Sequence, residues 1–274
     1  GTISARAEVD LSDVPGDLPL WKCSGDLQDS FYQFTSDVLA EDFAFDFPVR
    51  ASDAGVTEVW EDGKFVEVLP DDIIYDCFRG IPMGWSWALW AIHSTVADVL
   101  VRTGSHGTDE LVEDRRPARA IAPGKPLVGG YVDNFLVVAL SEADALSRFT
   151  DICSEFQRLG IQLHELRPPT DADVFDYLGV DFSNGGRTLV PKRSRAWRLH
   201  LAITGLLDLE RVHGKMLRVV LGHIVNFFQL CPLVLSILAG CYSFVEEFID
   251  DYGKLWNNVR KELETVQAFI LLVE

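Results

Sequence analysis

A chain of 274 residues with 48% apolar content is long enough to bury a substantial core and to divide into one or two domains. It sets 42 Asp/Glu against 24 Lys/Arg, and a net charge of −18 excludes general attraction of the whole surface to phosphate. The cysteines (Cys23, Cys77, Cys153, Cys231 and Cys241) are odd in number and form no Cys-x-x-Cys pair. That pattern excludes a zinc ribbon or a disulfide framework and predicts buried thiols in a reducing intracellular compartment, cytoplasmic or nuclear; no signal peptide is visible.

In chain order, residues 1–21 are polar and aperiodic and read as an extended lead-in. A short strand enters at Lys22-Cys23 and ends on Asp26, with Asp29 and Phe31 just beyond it. Residues 35–80 hold β-rich pieces punctuated by Asp-Gly and Pro-Asp turns, which predicts hairpins. After Arg79-Gly80-Ile81-Pro82-Met83-Gly84-Trp85, apolar positions Leu89, Ile92, Val96, Val99 and Leu100 recur at helical spacing up to a stop at Gly104. Trp85, Trp87 and Trp90 read as core. Residues 104–128, rich in Gly, Pro and charge and including Arg115-Arg116-Pro117, read as a mobile insertion.

Gly129 to Val138 places two apolar runs around Asp133-Asn134, the pattern of a β-hairpin with an acid at its tip. A helix over 142–159 follows, capped by Ser141 and ended by Gly160, and strands are predicted over 161–166, 175–182 and 187–190. Beyond Pro191 the pattern is helical. Residues 1–190 hold 14 Lys/Arg against 33 Asp/Glu, whereas the remainder holds 10 against 9. Within it, 192–218 has a local balance of +5, which is either a phosphate-tracking surface or a solvated helix face. Residues 219–245 carry no Asp, Glu, Lys or Arg, a length sufficient for a membrane span. His223, Asn226, Gln229 and Pro232 interrupt that run and favour a buried helix pair. A closing amphipathic helix is predicted over about 253–273.

Three stretches in this order resemble motifs A, B and C of the reverse transcriptase palm. They are Asp26-Leu27-Gln28-Asp29-Ser30-Phe31, Pro82-Met83-Gly84 with the helix it opens, and Tyr131-Val132-Asp133-Asn134. Phe175-Asp176-Tyr177-Leu178-Gly179-Val180 resembles the family's primer-grip hairpin, and Val220-Leu221-Gly222-His223 a segment found after it in retroelement polyproteins. The likeness covers about residues 22–245 and is strongest to retrotransposon and retroviral polymerases. It implies an α+β fold: a palm over 22–190 (split βαβ, an antiparallel sheet backed by helices) with partial fingers at 35–80, and a helical thumb-like region over 191–274.

The same resemblance implies an RNA-directed DNA polymerase working with Mg²⁺, or Mn²⁺, on dNTPs and an RNA or DNA template-primer duplex. Asp26 and Asp133 would bridge the metals with help from the Leu27 carbonyl, and Asn134 stands where the family usually has a second Asp. An amide can lend its oxygen to a metal but brings no charge. Asp29, Phe31, Met83, Gly84 and Arg167 would contact the nucleotide, Phe31 either by excluding a ribose 2′-hydroxyl or merely by packing in the sheet. Tyr177, Leu178 and Gly179 would form the primer grip, and Arg195, Arg198, Lys215 and Arg218 would track the nucleic-acid backbone. Other polyprotein parts, fingers upstream and a ribonuclease H region downstream, are implied as partners, and no membrane is. Two other classes stay open: a catalytically inactive scaffold of this fold that binds RNA or protein, and an RNA-dependent RNA polymerase, which Phe31 and the primer-grip likeness disfavour.

Overall fold

The computed structural model describes residues 9–10, 14, 18–36, 41–113 and 119–272. Most of the expected lead-in, and Arg115-Arg116-Pro117 of the expected insertion, lie outside these residues. The chain folds as two compact units, 21–170 and 171–274, the second also taking in 18–20.

The first unit is built on a five-stranded sheet of β1 (Trp21–Leu27), β6 (Leu111–Val112), β7 (Leu127–Tyr131), β8 (Asn134–Ala139) and β9 (Leu163–Thr170), in the order β9-β1-β8-β7-β6. All pairings are antiparallel except β6 with β7. Helices α2 (Ala88–Arg102) and α3 (Glu142–Arg158) supply the apolar side of the core. Strand alternation sends Cys23, Leu27, Phe135, Val137 and Ala139 to the face shared with Val96, Leu100, Ile152 and Phe156. The Ser141 hydroxyl accepts the Asp144 amide at 3.1 Å and Gly160 adopts φ 76°, so α3 starts and stops on the residues its sequence nominates. Burial pushes the Cys23 thiol up to about 12, as a buried thiol requires, whereas Cys77 is exposed, against the expectation for all five.

Two small ribbons occupy 44–77. β2 (Ala44–Arg50) pairs with β5 (Ile73–Cys77), and β3 (Glu58–Glu61) with β4 (Lys64–Glu67). The Asp62-Gly63 loop has φ 48° and 80°, the left-handed pair that a tight hairpin turn requires. These hairpins match expectation, but Phe47, Phe65 and Tyr75 on them are exposed. Trp87 and Trp90 are also exposed, so their reading as core fails; they pack edge to face on one another at 5.9 Å.

The second unit pairs β10 (Phe175–Tyr177), β11 (Val180–Ser183) and β12 (Thr188–Pro191) into a sheet and follows it with helices α4 (Arg193–Asp208), α5 (Gly214–Phe227), α6 (Ala239–Glu247) and α7 (Asn257–Ile270). The unit boundary falls at 170/171. The reason is local: Lys192 pairs with Asp176 at 2.6 Å and Leu20 N–H donates to Gly185 at 3.0 Å, tying the small sheet to its own flanks. The uncharged run resolves into α5, two 3₁₀ turns (the second opening at Pro232) and α6. No helix of the described residues is long and apolar enough to cross a membrane. The α7 stripe Val259, Leu263, Val266 and Ile270 is fully packed, and Glu262 on the same helix accepts the Gly240 and Cys241 amides at 3.0 and 2.8 Å, capping α6 with a carboxylate.

One buried charge pair braces the first unit. Arg148 Nε and Glu110 Oε2 lie 3.0 Å apart at 4% and 3% exposure, outside hydrogen-bond angles, while the guanidinium also donates to Thr103 Oγ1 at 2.7 Å and to the Leu100 carbonyl. Gly104 leaves room for this pair, since a Cβ there would stand 2.6 Å from Glu110 Oε2. Burial pulls the Arg148 pKa down, and Glu110 and Asp151 oppose it. Arg148→Met should therefore cost about 3–5 kcal/mol in urea unfolding by stranding Glu110, and Glu110→Leu in the same chain should recover most of that loss. A single variant as stable as the wild type would contradict the brace.

Candidate functional site

Pairing of β8 with β1 sets Asn134 opposite Asp26 and Phe135 opposite Gly25. Gly25 is required there, because a Cβ would lie 2.7 Å from the Phe135 ring and 2.7 Å from the Leu166 side chain. On the other side of β1, pairing with β9 sets His164 opposite Asp26. Asp26 thus has an amide neighbour on one strand and an imidazole on the other, with His164 Nδ1 3.6 Å from its Oδ1.

The loop between β7 and β8 is Val132-Asp133, and Asn134 is the first strand residue, paired with Tyr131. The acid is at the tip as expected, but Asn134 is not part of the turn. Val132 has φ 56°, a left-handed conformation that costs a β-branched residue about 1–3 kcal/mol and persists only under tight surroundings. Those surroundings are visible. The Val132 side chain is buried with Ile81, Ala88 and Ile92, and the Asp133 carbonyl accepts the Leu27 amide at 2.9 Å. The Asp133 carboxylate is aimed by Ser30 Oγ, 3.0 Å from Oδ2, and Asn134 Nδ2, 2.9 Å from Oδ1.

Burial holds the Asp26 carboxyl above its usual value; His164 opposes the shift, and Glu165 and Asp133 reinforce it. Its Oδ1 is buried without a hydrogen-bond partner. Glu165 reaches this neighbourhood because it sits at φ 46° where β9 breaks register between His164 and Arg167. Among the described residues no three His, Cys, Asp or Glu side chains form a closed metal cage. Asp26, with a buried oxygen that makes no hydrogen bond, and Asp133, near enough for its charge to raise the Asp26 pKa, nevertheless fit a hard divalent cation that keeps waters and substrate phosphates in its shell.

The remaining predicted residues divide between the units. Asp29 has φ 45° ahead of the short helix α1 (Ser30–Gln33) and is exposed. Phe31 packs on the Ile81/Ala88/Ile92/Val132 cluster. Met83 and Gly84 are exposed, Met83 Sδ receiving the Tyr32 hydroxyl at 3.9 Å. Arg167 lies 3.6 Å from Glu165. In the second unit, Tyr177 ends β10, and Leu178-Gly179 turn the hairpin at φ 49° and 82°. Arg195 donates to Asn226 Oδ1 at 3.1 Å and to the Gly179 carbonyl at 3.5 Å. Arg195 and Arg198 line an open groove of about 740 Å³ between α4 and α5, with Val219, Gly222, His223 and Asn226 opposite. Lys215 is paired with Asp250, whose carboxyl Lys215 and, more weakly, Arg218 hold below the usual range. Sequence reasoning passed over Ser30, His93, His164 and the strain at Val132; Ser30 lies inside the quoted motif, whereas the others depend on cross-strand register and helix packing.

No protein-family model matches the sequence, and no curated protein does. Among solved structures, the foamy viral protease-reverse transcriptase dRH in complex with double-stranded DNA superposes with TM-score 0.55 at 12% identity, covering 100% of this chain and 39% of that one. The chain has a reverse-transcriptase-like fold. It spans about two fifths of that foamy viral chain. Two further structures are alike at lower score: the foamy viral enzyme with double-stranded DNA (TM-score 0.49, 14% identity, 100% and 47% covered), and Candida albicans telomerase with a fragment of telomeric RNA (0.39, 12%, 96% and 48%). Within the reverse-transcriptase-like fold, β1 and the β7–β8 turn are the elements that bring Asp26 and Asp133 together.

A carboxyl whose pKa is raised by folding binds its proton more tightly in the folded state, so stability falls as pH climbs through the carboxylate range. Asp26→Asn should therefore raise the thermal midpoint at neutral pH. The gain should vanish below the ordinary aspartate value, where wild-type Asp26 is already protonated. A variant less stable than the wild type at neutral pH would contradict the electrostatic picture of the site.

Proposed function

We propose that the chain is the palm and thumb part of an RNA-directed DNA polymerase from a retroelement, carrying out template-directed DNA synthesis by two-metal nucleotidyl transfer. The observation that carries this reading is the placement of Asp26 beside the Asp133 turn with an unpartnered buried carboxylate oxygen. Mg²⁺, or Mn²⁺, bound there would activate a primer 3′-hydroxyl and neutralise charge building on the triphosphate. The chain's own work is positional. Ser30 and Asn134 hold the Asp133 carboxylate, Leu27 ties the turn to β1, and His164 stands beside the buried Asp26 oxygen.

In the same reading, Phe31 lies under the incoming sugar and disfavours a 2′-hydroxyl. Met83 and Gly84 leave an open face for the nucleotide, with Asp29 and Arg167 beside it. Tyr177, Leu178 and Gly179 steady the primer, and Arg195 and Arg198 meet the duplex backbone, Lys215 and Arg218 joining once Asp250 is displaced. Fingers and ribonuclease H regions of a polyprotein complete the enzyme. A second reading, an inactive scaffold of this fold, is favoured by the missing charge at Asn134.

Primer extension by the full-length protein on an RNA template with Mg²⁺ or Mn²⁺ separates the two: the proposal expects dNTP-dependent extension that Asp133→Asn abolishes. Extension that survives Asp133→Asn would refute the assigned chemistry, and absence of extension under both metals would favour the scaffold. Asn134→Asp adds a second turn charge, so its thermal stability should rise on adding Mg²⁺; a loss that millimolar metal does not rescue would contradict a two-metal site. Replacing Arg195 and Arg198 by Ala should lower the salt slope of duplex binding by roughly 2, about 0.9 per phosphate contact. An unchanged slope would make the groove a solvated face.

A further inference from the structure

We propose that His93 is the positioning residue of the catalytic turn: its Nδ1 accepts the Val132 amide proton and thereby fixes the strained loop that presents Asp133. The proposal rests on the reading of Asp133 as a metal ligand for its functional meaning, but not for its geometry.

His93 lies on α2, and its Nδ1 is 3.3 Å from the Val132 nitrogen. Val132 is 7% exposed, so its amide has no ready access to water, and a buried backbone N–H must find a protein acceptor. The same helix also receives the Val132 side chain, through Ala88 and Ile92. One rigid element therefore grips the residue by both its amide and its isopropyl group, which is what a β-branched side chain at φ 56° needs in order to stay there. Close approach of the hairpin to α2 is built in as well: at Gly130 an added Cβ would lie 3.2 Å from Leu100 and 3.3 Å from Val96.

An acceptor at Nδ1 means the proton is on Nε2. Burial lowers the His93 pKa, with Glu113 opposing, and so favours the neutral ring this bond needs. The consequence for Asp133 is direct. With Val132 held from α2, the next residue's carbonyl meets Leu27 and its carboxylate meets Ser30 and Asn134, so four separate contacts define where the ligand oxygens sit. Removing the first leaves the turn free to relax Val132 toward negative φ, which swings Asp133 away from Asp26.

Three variants isolate the acceptor. His93→Asn places a carbonyl oxygen near the Nδ1 position, His93→Gln places one nearer Nε2, and His93→Leu removes it. Amide hydrogen exchange read by NMR on the metal-free protein gives the first readout. Val132 should be protected in the wild type and His93→Asn, and should exchange at least about tenfold faster in His93→Leu and His93→Gln. The Val137 and Cys23 amides, deep in the sheet, report global opening and should not change. Equal Val132 protection in all four proteins would overturn the clamp. Mn²⁺ affinity gives the second readout: His93→Leu should weaken it about 10–100-fold, as loss of an outer partner does, while His93→Asn stays close to wild type. Faster Val132 exchange with unchanged Mn²⁺ affinity would overturn the positioning role. A wild-type protein that binds no Mn²⁺ would overturn the metal reading of Asp133 and with it that role, leaving the clamp itself to stand or fall on the exchange data.

Discussion

The Phe135 ring lying over Gly25 fixes the register on which the rest of the site depends. It forces β8 and β1 to align so that Asn134 faces Asp26 and the Asp133 turn closes over the end of β1. A one-residue slip would turn every side chain of β8 to the opposite face, burying Asn134 and exposing Phe135, and the core formed with Phe149 and Phe156 makes that slip costly. Hydrophobic packing on one face of the sheet thereby positions carboxylates at the ends of its inner strands. The strain at Val132 and the unpartnered oxygen of Asp26 are then local costs carried by a well-packed core, the distribution expected where function and stability compete.

The charge of the chain makes sense once it is placed. Residues 41–80 hold 11 Asp/Glu against 3 Lys/Arg, so much of the net −18 sits on and around the exposed ribbons of the first unit. The second unit holds the +5 stretch, and its groove is lined by Arg195 and Arg198. Not all of that positive charge is available to a ligand. Lys215 is committed to Asp250, and Arg195 already spends donors on Asn226 and Gly179. A polyanion binding there would have to replace these contacts, which favours a close, oriented approach over loose attraction.

Much of this was legible in the sequence, for identifiable reasons. Helix α3 could be bounded because Ser141 and Gly160 are local signals acting on their own backbone, and α7 because its apolar stripe has a helical period. Asp26 and Asp133 could be paired because the stretches that carry them resemble motifs A and C of the reverse transcriptase palm, even though the two lie far apart in sequence. What the sequence concealed is what depends on tertiary neighbours. Trp87 and Trp90 look like core and are exposed at the start of α2, where they pack on one another. His164 joins the site through its cross-strand pairing with Asp26, Glu165 through the register break that follows it, and His93 through the approach of α2 to the turn. The primer-grip-like hairpin is visible as a pattern, but its attachment to the helical unit comes from Lys192 and Arg195, which no periodicity reveals.

The central claim is that Asp26 and Asp133 together hold divalent metal for nucleotidyl transfer. Anomalous diffraction from crystals of the full-length protein grown with Mn²⁺, a template-primer and an unreactive dNTP analogue tests it most directly. The account predicts anomalous density within coordination distance of a carboxylate oxygen from both Asp26 and Asp133. Metal-free density at that turn, with the nucleic acid in place, would contradict it.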